Sequence, residues 1–431
     1  MPVDFSTLPP EVVSDAKPPR PIVWFLLAMI IIAGGAALVL WLWPKGTSTH
    51  DWQFWTWVIA VPSLVYALLF AARWHLYEQA LAQVEAFNRQ RRSVVVHNTA
   101  FAQRPLALLA SAYVTAMGEQ DVAKRIIQHE SMLGFRPVRG IGSSVSHTAI
   151  VAQKREGRET EQRRTRRDAF PLTNDDLLEL FGKLITRMQP TLAALPSQIV
   201  LPVQLVVTGS EYPLDIAKQW ETAWRAFGLG EFVLSSQSNE QGLMTLDAWL
   251  DESDGARRNR VALYVNVQFR DDPPDNGAEA ATAMLVAWPD MAHRLKQPVL
   301  AWLHRPVRSI ADGFGVTLGT ALTWGAVSSV NETHAWASGL EADGRECLAH
   351  AFKQSATEPT SGDENAVMTA NIDTSLGITG HAAGWLACAL AAENFAATDR
   401  PQLIATQDGN GLVYAVVRKS SLQQPEGMQQ S

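Results

Sequence analysis

Residues 373–393 of the 431-residue chain read DTSLGITGHAAGWLACALAAE, and their pattern indicates the fold class. Their glycines lead into an apolar run, which predicts a glycine-rich turn followed by a helix at 380–392. A short strand is predicted before the turn, at 366–372, and a closing pair of strands after the helix, at 403–406 and 411–418. The stretch therefore belongs to an α/β domain.

The same alternation of strands and helices continues toward the N-terminus. β-Branched or aromatic runs predict strands at 106–114, 199–207, 232–235, 261–269, 281–288 and 299–303. Helical patterns predict helices at 119–130, 177–188, 214–227, 243–250 and 332–353. Thr173 is predicted to cap the helix at 177–188, and Pro213 to stand at the first position of the helix at 214–227. Because two halves have a similar order of elements, we predict a duplicated α/β body with layered sheets and helices.

Two apolar stretches lie near the N-terminus, PIVWFLLAMIIIAGGAALVLWLW at 21–43 and FWTWVIAVPSLVYALLFAA at 54–72. A helix needs about 20 apolar residues to cross the hydrocarbon core of a bilayer, and both stretches approach or exceed that length. Tryptophans lie at or near their ends, where the membrane interface favours them: Trp24, Trp41, Trp43, Trp52, Trp55, Trp57 and Trp74. We predict a transmembrane helical hairpin at 21–72, since a second span argues against a cleaved signal peptide.

Positive charges flank the hairpin and are scarce in its turn. Lys17 and Arg20 precede it, four arginines follow it between residues 73 and 92, and the turn holds only Lys45. The positive-inside rule therefore places both termini in the cytoplasm. The small-residue patch around Gly34 and Gly35 serves packing within the hairpin or, as the alternative, a specific dimer motif.

The predicted layout has five parts. They are an N-terminal cytoplasmic tail at 1–20, the transmembrane hairpin at 21–72, a juxtamembrane helix and linker at 73–103, the α/β domain at 104–420 and a flexible tail at 421–431. The juxtamembrane helix is predicted at 74–90, closed by Arg91 and Arg92. Within the domain, residues 153–168 carry seven basic and four acidic side chains and no apolar one. We predict an exposed basic loop there, acting as a solvated linker or as a contact for anionic lipid headgroups.

Composition excludes some classes of function. The net charge of -7 and the pI near 5.8 argue against a nucleic-acid-binding protein. Only Cys347 and Cys388 are present, so no disulfide framework is expected. The sequence also lacks phosphate-loop, GxSxG, HExxH and paired CxxC motifs, and we predict no cofactor.

Residues 373–393, together with PQLIATQDGNGLVYAVVRK at 401–419, resemble the C-terminal signature of β-ketoacyl synthases and other thiolase-like proteins. Four residues fall where that family has its glycine-rich entry into a helix: Gly377, Thr379, Ala383 and Gly384. The strand-helix-strand segment at 232–269 and NGAEAATAMLVAW at 276–288 are similar to further parts of the family. The resemblance extends over most of residues 106–419 and implies a thiolase-like fold.

The chain departs from the family at its reactive groups. Synthase chemistry needs a thiolate at a helix N-terminus and histidines that stabilise an oxyanion. Residues 235–243, SSQSNEQGL, contain no cysteine where the nucleophile is expected. Ile378 stands where the family has its catalytic histidine, and His381 is displaced by three residues. The resemblance therefore implies a dismantled active site, and we predict no catalytic residue and no enzyme activity.

The other reactive side chains are predicted to have no catalytic or metal-binding role. His381 has no partner at suitable spacing and is interpreted as a capping contact. Cys388 lies within an apolar helix, and Cys347 has only Arg345 nearby. The DDPPD run at 271–275, with its three aspartates, is interpreted as a solvated turn and not as a metal site.

The hairpin, the basic loop and the thiolase-like body without catalytic residues are together similar to the adapter family that accompanies lipase effectors of bacterial type VI secretion. This resemblance implies an adapter in the bacterial inner membrane that binds a phospholipase effector in the cytoplasm and passes it to the secretion spike protein. One alternative is a membrane-associated acyl-chain enzyme acting on thioesters or lipids. Another is a dimeric structural subunit of the envelope, and a homodimer is compatible with either non-catalytic function.

Overall fold

The computed structural model describes residues 8–44, 49, 51–138, 144–150, 172–211, 213–235, 242–251, 260–309, 313–355, 368–409 and 411–419. The basic loop at 153–168, the tail at 421–431 and most of the predicted nucleophile segment at 235–243 lie outside these residues. The chain divides into two compact units, Val3–Ala100 and Phe101–Ser431, the latter also including Met1–Pro2.

The N-terminal unit is helical. It contains α1 (Pro21–Leu42), α2 (Trp52–Trp55), a π-helical turn (Thr56–Ala60) and α3 (Val61–Ala102). α1 and the continuous helical segment Trp52–Ala102 are long and apolar enough to cross a membrane by length and composition. The prediction that the helix closes at Arg91 and Arg92 is wrong, because α3 continues through SVVVHNTAFA to Ala102. β-Branched valines lower helix propensity only slightly, so a run of three does not end a long helix.

α1 and α3 pack against each other as an antiparallel hairpin. Trp24 lies edge-on to Phe70 with ring centroids 5.3 Å apart, and Trp43 lies edge-on to Phe54 at 5.1 Å. Between these pairs a Cβ on Gly35 would overlap the ring of Pro62. The small-residue patch therefore permits close packing within the hairpin.

The N-terminal tail lies along the part of α3 that follows the apolar stretch. The Asn88 side chain forms two hydrogen bonds with the Val12 backbone: Val12 N–H donates to Asn88 Oδ1 at 3.0 Å, and Asn88 Nδ2 donates to Val12 O at 2.8 Å. Arg92 pairs with Glu11 at 3.0 Å, and Arg73 donates to Lys17 O at 3.2 Å. The tail and helix therefore run in opposite directions.

A large mixed sheet forms the framework of the second unit. Its strands are β1 (Leu106–Thr115), β4 (Leu201–Thr208), β5 (Phe232–Leu234), β6 (Val261–Gln268), β8 (Ala280–Ala287), β9 (Ala301–Leu303), β10 (Val307–Arg308), β11 (His334–Ser338), β12 (Met368–Asn371), β13 (Gln402–Asp408) and β14 (Gly411–Arg418). The order is β12-β11-β13-β14-β9-β1-β8-β6-β4-β5, with β10 paired to β14. A separate small sheet contains β2 (Gly134–Pro137), β3 (Ser144–Thr148) and β7 (Gly277–Ala278).

The two halves of this sheet have the same local pattern. In one half, parallel strands β5, β4 and β6 are followed by antiparallel β8, and in the other, parallel β12, β11 and β13 are followed by antiparallel β14. This correspondence is the duplication that the order of predicted elements indicates.

Helices separate and cover the two halves of the sheet. They are α4 (Val122–Ile127), α5 (Asn174–Ala193), α6 (Ile216–Ala226), α7 (Met244–Asp251), α8 (Pro289–Leu295), α9 (Phe314–Trp324), α10 (Ala342–Ser355), α11 (Ile372–Ser375) and α12 (Ala383–Thr398). One apolar core joins α5 and α6 to the first half of the sheet, and a second core joins α7 and α12 to both halves. α9 and α10 pack on β14 from the other side, so helices and strands form five alternating layers.

α12 is the central helix of this arrangement. Twelve of its sixteen residues are buried, and most of these are alanine or other small apolar residues, so that both halves of the sheet can pack close to it. It contacts β8 in one half and β13 in the other. Trp385 stacks on Tyr264 with ring centroids 4.9 Å apart, and the indole fills the space between the helix and β6.

Most predicted elements of the second unit are present, and several differ in bounds or type. The predicted helix at 380–392 begins as a 3-10 turn and continues as α12 to Thr398. The predicted helix at 332–353 contains the buried strand β11 and then α10, because Gly339 turns the chain with a φ of +68° between them. α6 begins at Ile216 with Asp215 as its N-cap, so Pro213 precedes the helix. The predicted helix at 119–130 shortens to α4. The Thr173 cap is confirmed, and it forms a capping box with Asp176.

Candidate functional site

A cleft of about 480 Å³ lies between the two halves of the sheet, where several strands end and where α7 and α12 begin. Its lining comes from the ends of β4, β6, β11 and β13 and from the N-terminal ends of α7 and α12. The lining residues are Thr208, Gly209, Gly242, Leu243, Gln268, Arg270, Gly339, Ile378, Gly380, His381, Gly384, Trp385, Thr406, Gln407, Asp408, Gly409 and Val413. Strand ends that face helix N-termini are where α/β proteins commonly bind ligands.

Gln268 organises one wall of the cleft. Its Oε1 accepts hydrogen bonds from the Thr208 hydroxyl at 3.0 Å and from the His381 backbone N–H at 3.1 Å, while its Nε2 donates to Phe269 O at 2.7 Å. The side chain is only 3% exposed. These bonds fix the amide orientation and connect β4, β6 and the turn before α12.

Glycines allow the turn before α12 to approach its neighbours closely. Gly380 has a φ of +56°, and a Cβ there would lie 2.9 Å from Arg270 Nη2 and would overlap Gln268. A Cβ on Gly384 would lie 2.8 Å from Leu243 Cγ, where α12 meets the start of α7. A larger residue at either position would displace a side chain that lines the cleft.

Asp373 fixes the loop that follows β11. Its carboxylate accepts hydrogen bonds from the backbone N–H groups of Gly339 at 2.8 Å and Leu340 at 3.0 Å. Burial raises the pKa of Asp373 to about 6, and these backbone donors oppose that rise. Asp373 does not line the cleft itself, but it positions Gly339, which does.

Arg270 is the cation of the cleft. Its Nη2 lies 3.4 Å from Ile378 O, and its backbone N–H donates to Glu279 Oε1 at 3.1 Å. Burial lowers the pKa of the guanidinium, and Glu279 opposes that effect. The group nevertheless stays charged, because an arginine pKa lies far above neutral pH.

The structure brings Ile378 and His381 to the same cleft. Ile378 pairs through its backbone with the segment before β7: its N–H donates to Asn276 O at 2.7 Å and its carbonyl accepts from Ala278 N–H at 3.0 Å. His381 is exposed in the short 3-10 turn Gly380–Ala382.

Neither cysteine lines the cleft. Cys388 is completely buried in α12, and burial raises the pKa of its thiol. Cys347 is half-buried in α10.

The aspartate run at 271–275 needs a correction. Asp271 is buried, 7% exposed, and its Oδ2 accepts a 2.7 Å hydrogen bond from Glu211 N–H, so it connects two loops instead of lying in a solvated turn. Asp272 and Asp275 are exposed, as expected. Among the described residues, no group of three or more His, Cys, Asp or Glu side chains is arranged to hold a metal ion.

Sequence reasoning missed Gln268 and Arg270. Both lie at the carboxyl end of a strand that was itself predicted at 261–269, and this edge of a parallel sheet is the usual ligand side. That positional rule would have selected them. Thr208 follows from the same rule applied to the strand at 199–207.

No protein-family model matches the chain, and no curated protein matches it. Several solved structures are similar to this chain. The ketosynthase from module 6 of the bacillaene synthase of Bacillus subtilis 168 superposes with a TM-score of 0.52 at 10% identity, covering 74% of this chain and 71% of that one. The second unit has a ketosynthase-like fold.

Two further ketosynthases are similar at lower scores. The oxazolomycin ketosynthase domain OzmH KS8 of Streptomyces albus JA3453 covers 75% of this chain and 97% of its own, with 13% identity and a TM-score of 0.46. The ishigamide ketosynthase/chain length factor covers 74% and 100%, with 15% identity and a TM-score of 0.49. The superposition on the module 6 ketosynthase confirms the predicted thiolase-like α/β body as a fold of the ketosynthase type.

Proposed function

We propose that this chain is a non-catalytic, membrane-tethered adapter built on a ketosynthase-like body. The observation that carries the proposal is the composition of the cleft: Ile378 stands where the resembled family has a histidine, and the sequence offers no cysteine outside α10 and α12. An isoleucine side chain neither transfers a proton nor donates a hydrogen bond. A buried helical cysteine with a raised thiol pKa is a poor nucleophile.

The N-terminal unit supports the membrane tether. Its two long apolar helices pack as a hairpin. The tail lies along the polar part of α3, where Asn88 forms two hydrogen bonds with the Val12 backbone. A tail that contacts this part of α3 has to lie on the same side of a membrane as this part of the helix. Together with the distribution of Lys and Arg, this favours a cytoplasmic location for both termini at a bacterial inner membrane.

The proposed partners are a phospholipase effector and the spike protein of a type VI secretion machine. They follow from the similarity in layout to the adapter family of that system. The adapter would hold the lipase in the cytoplasm and assist its loading onto the spike. A homodimer is compatible with this function.

Detergent extraction followed by affinity purification of the full chain tests the adapter function. We expect one lipase encoded in the same genome to be retained, and to be lost in high salt if polar contacts dominate the interface. Recovery of envelope components without a lipase would contradict the adapter proposal and favour the structural subunit. Purification of the first 100 residues alone is the matched control, because it contains the hairpin without the body.

The second candidate function is an acyl-chain enzyme, and the fold with its open cleft is the observation in its favour. The full chain is assayed in lipid nanodiscs with acyl-thioester and phospholipid substrates. The adapter proposal predicts no turnover. Turnover that His381→Ala abolishes, and that the exposed-surface control His350→Ala leaves intact, would establish the enzyme instead.

A further inference from the structure

The Arg270 guanidinium lines the cleft, and only some of its N–H donors form hydrogen bonds. A guanidinium has five N–H donors. Arg270 Nη2 makes one long contact of 3.4 Å with Ile378 O, and the guanidinium makes no other hydrogen bond within the described part of the chain. Its Nε is buried without a partner, so the donors that can face the cleft are those of Nη1 and Nη2. Donor groups of Arg270 therefore remain for a ligand in the cleft.

The neighbouring acid does not neutralise this cation by direct pairing. Glu279 is 2% exposed, and its two oxygens accept hydrogen bonds from the backbone N–H groups of Arg270 at 3.1 Å and Ile150 at 3.0 Å. Among the ion pairs formed by described residues, none involves the Arg270 guanidinium. A half-buried charge without a paired counter-ion is costly, and a ligand anion would offset that cost.

The remaining lining sets the character of the ligand. Ile378 is half-buried and gives the wall its accessible apolar surface, while Leu243, Trp385 and Val413 lie behind it and are at most 3% exposed. Asp408 is the acid among the lining residues, and Arg308 offsets its charge at 3.4 Å. Arg270 can offset one further negative charge, so the cleft suits a single anionic group on an apolar body better than a phosphate dianion.

We propose that the cleft binds a small apolar monocarboxylate, which pairs with the Arg270 guanidinium and places its hydrocarbon part against Ile378. A guanidinium matches a carboxylate through two parallel N–H donors. The volume of about 480 Å³ is in the range of small-molecule sites. This inference does not depend on the adapter function, because it concerns the isolated chain without a partner protein.

The test compares a charged probe with a neutral one of the same shape. The full chain in lipid nanodiscs is titrated with 4-methylpentanoate and with 4-methylpentanamide, and binding is followed by ligand-observed NMR. We expect the acid to bind at least about tenfold more tightly than the amide, since hydrogen bonds to charged groups are the stronger ones. Equal affinities, or no binding of the acid, would overturn the proposal without any variant being needed.

A pair of variants locates the charge. Arg270→Gln is expected to weaken binding of the acid about tenfold and to leave the amide unchanged. Arg225→Gln is the matched control, because Arg225 is an exposed residue on α6 that pairs with Glu221. An acid affinity in Arg270→Gln equal to that in Arg225→Gln would contradict the assignment.

The same carboxylate chemistry occurs at the end of a peptide, so a second arm distinguishes the two sources. N-acetylglycyl-leucine and its C-terminal amide are tested for displacement of bound 4-methylpentanoate. Displacement by the acid form alone assigns the site to chain termini, and displacement by neither assigns it to free acids. Displacement by both forms equally would contradict a site that recognises the carboxylate.

Discussion

The Asp373 carboxylate accepts a hydrogen bond of 2.8 Å from the Gly339 backbone N–H, which joins α11 to the end of β11. α10 and residues outside the described part of the chain separate these two segments in the sequence. Because Gly339 lines the cleft, this hydrogen bond positions part of the cleft wall.

The protonation of Asp373 should make stability depend on pH. Burial raises its folded-state pKa to about 6, above the usual value of about 3.9 for an unfolded chain. The folded state therefore holds the proton more tightly. The stabilisation from protonation is complete below about pH 4 and is lost as the pH rises through about 6. Two pKa units correspond to at most about 3 kcal/mol.

Asp373→Asn removes this titration. As the pH is raised from 4.5 to 7, we expect the thermal unfolding midpoint of the unmodified chain in nanodiscs to decrease. This decrease should be several degrees larger than any decrease in the variant. A variant with the same pH profile as the unmodified chain would show that Asp373 is not the group that titrates.

Arg305 should be essential for the position of α7. It is 1% exposed and donates to Asp247 and Asp251, each at 2.6 Å, across from the Phe101 ring at 5.2 Å. Arg305→Met leaves two neighbouring carboxylates without their cation. Because Asp251 is more than a third exposed, we expect a loss of about 2–3 kcal/mol, below the range for fully buried pairs.

The control for Arg305 is Lys419→Gln. It breaks an exposed pair with Asp399 at 2.9 Å and should change stability by less than about 0.5 kcal/mol. Equal unfolding midpoints for the two variants would contradict the structural importance of the Arg305 cluster.

The contact between Gly384 and Leu243 predicts a compensating pair of substitutions. Gly384→Ala introduces a Cβ 2.8 Å from Leu243 Cγ, so we expect a loss of about 1–3 kcal/mol from overpacking. Leu243→Ala alone should cost about 2–5 kcal/mol, since Leu243 is 3% exposed. The double variant should lose less than the sum. Strict additivity of the two unfolding free energies would show that the residues do not touch.

The hydrogen bonds between Asn88 and the tail predict that a substitution of Asn88 changes protease access to the tail. Asn88→Ala removes both hydrogen bonds to Val12, so a glutamyl endopeptidase should cleave after Glu11 several-fold faster in inverted membrane vesicles. Gln83→Ala, an exposed position on the same helix, is the control. An unchanged cleavage rate in Asn88→Ala would mean that the tail is held elsewhere, and cleavage only in right-side-out vesicles would reverse the proposed orientation.

The sequence predicted the architecture better than the site. Buried strands such as β1, β6 and β8 are continuous apolar runs, and α12 has a distinctive composition, so local pattern was enough to find them. β11 was lost inside a predicted helix, because HAWAS contains alanines and a tryptophan that suit either structure, and only its place between β12 and β13 decides.

The site depends on relations that single-sequence reasoning does not reach. Ile378 and His381 were found because they lie inside the resembled motif. Gln268 contacts the His381 backbone across 113 positions of sequence, and Arg270 packs over Gly380 only because a glycine is there. Such contacts follow from the tertiary packing of two half-sheets, not from local propensity.

Intact-mass measurement of the purified full chain after incubation with an acyl thioester tests the central claim most directly. A non-catalytic cleft predicts no acyl group on any residue that lines it, because Ile378 cannot accept one and Cys388 is buried within α12. An added mass of one acyl group, mapped by peptide analysis to a residue that lines the cleft, would contradict the account.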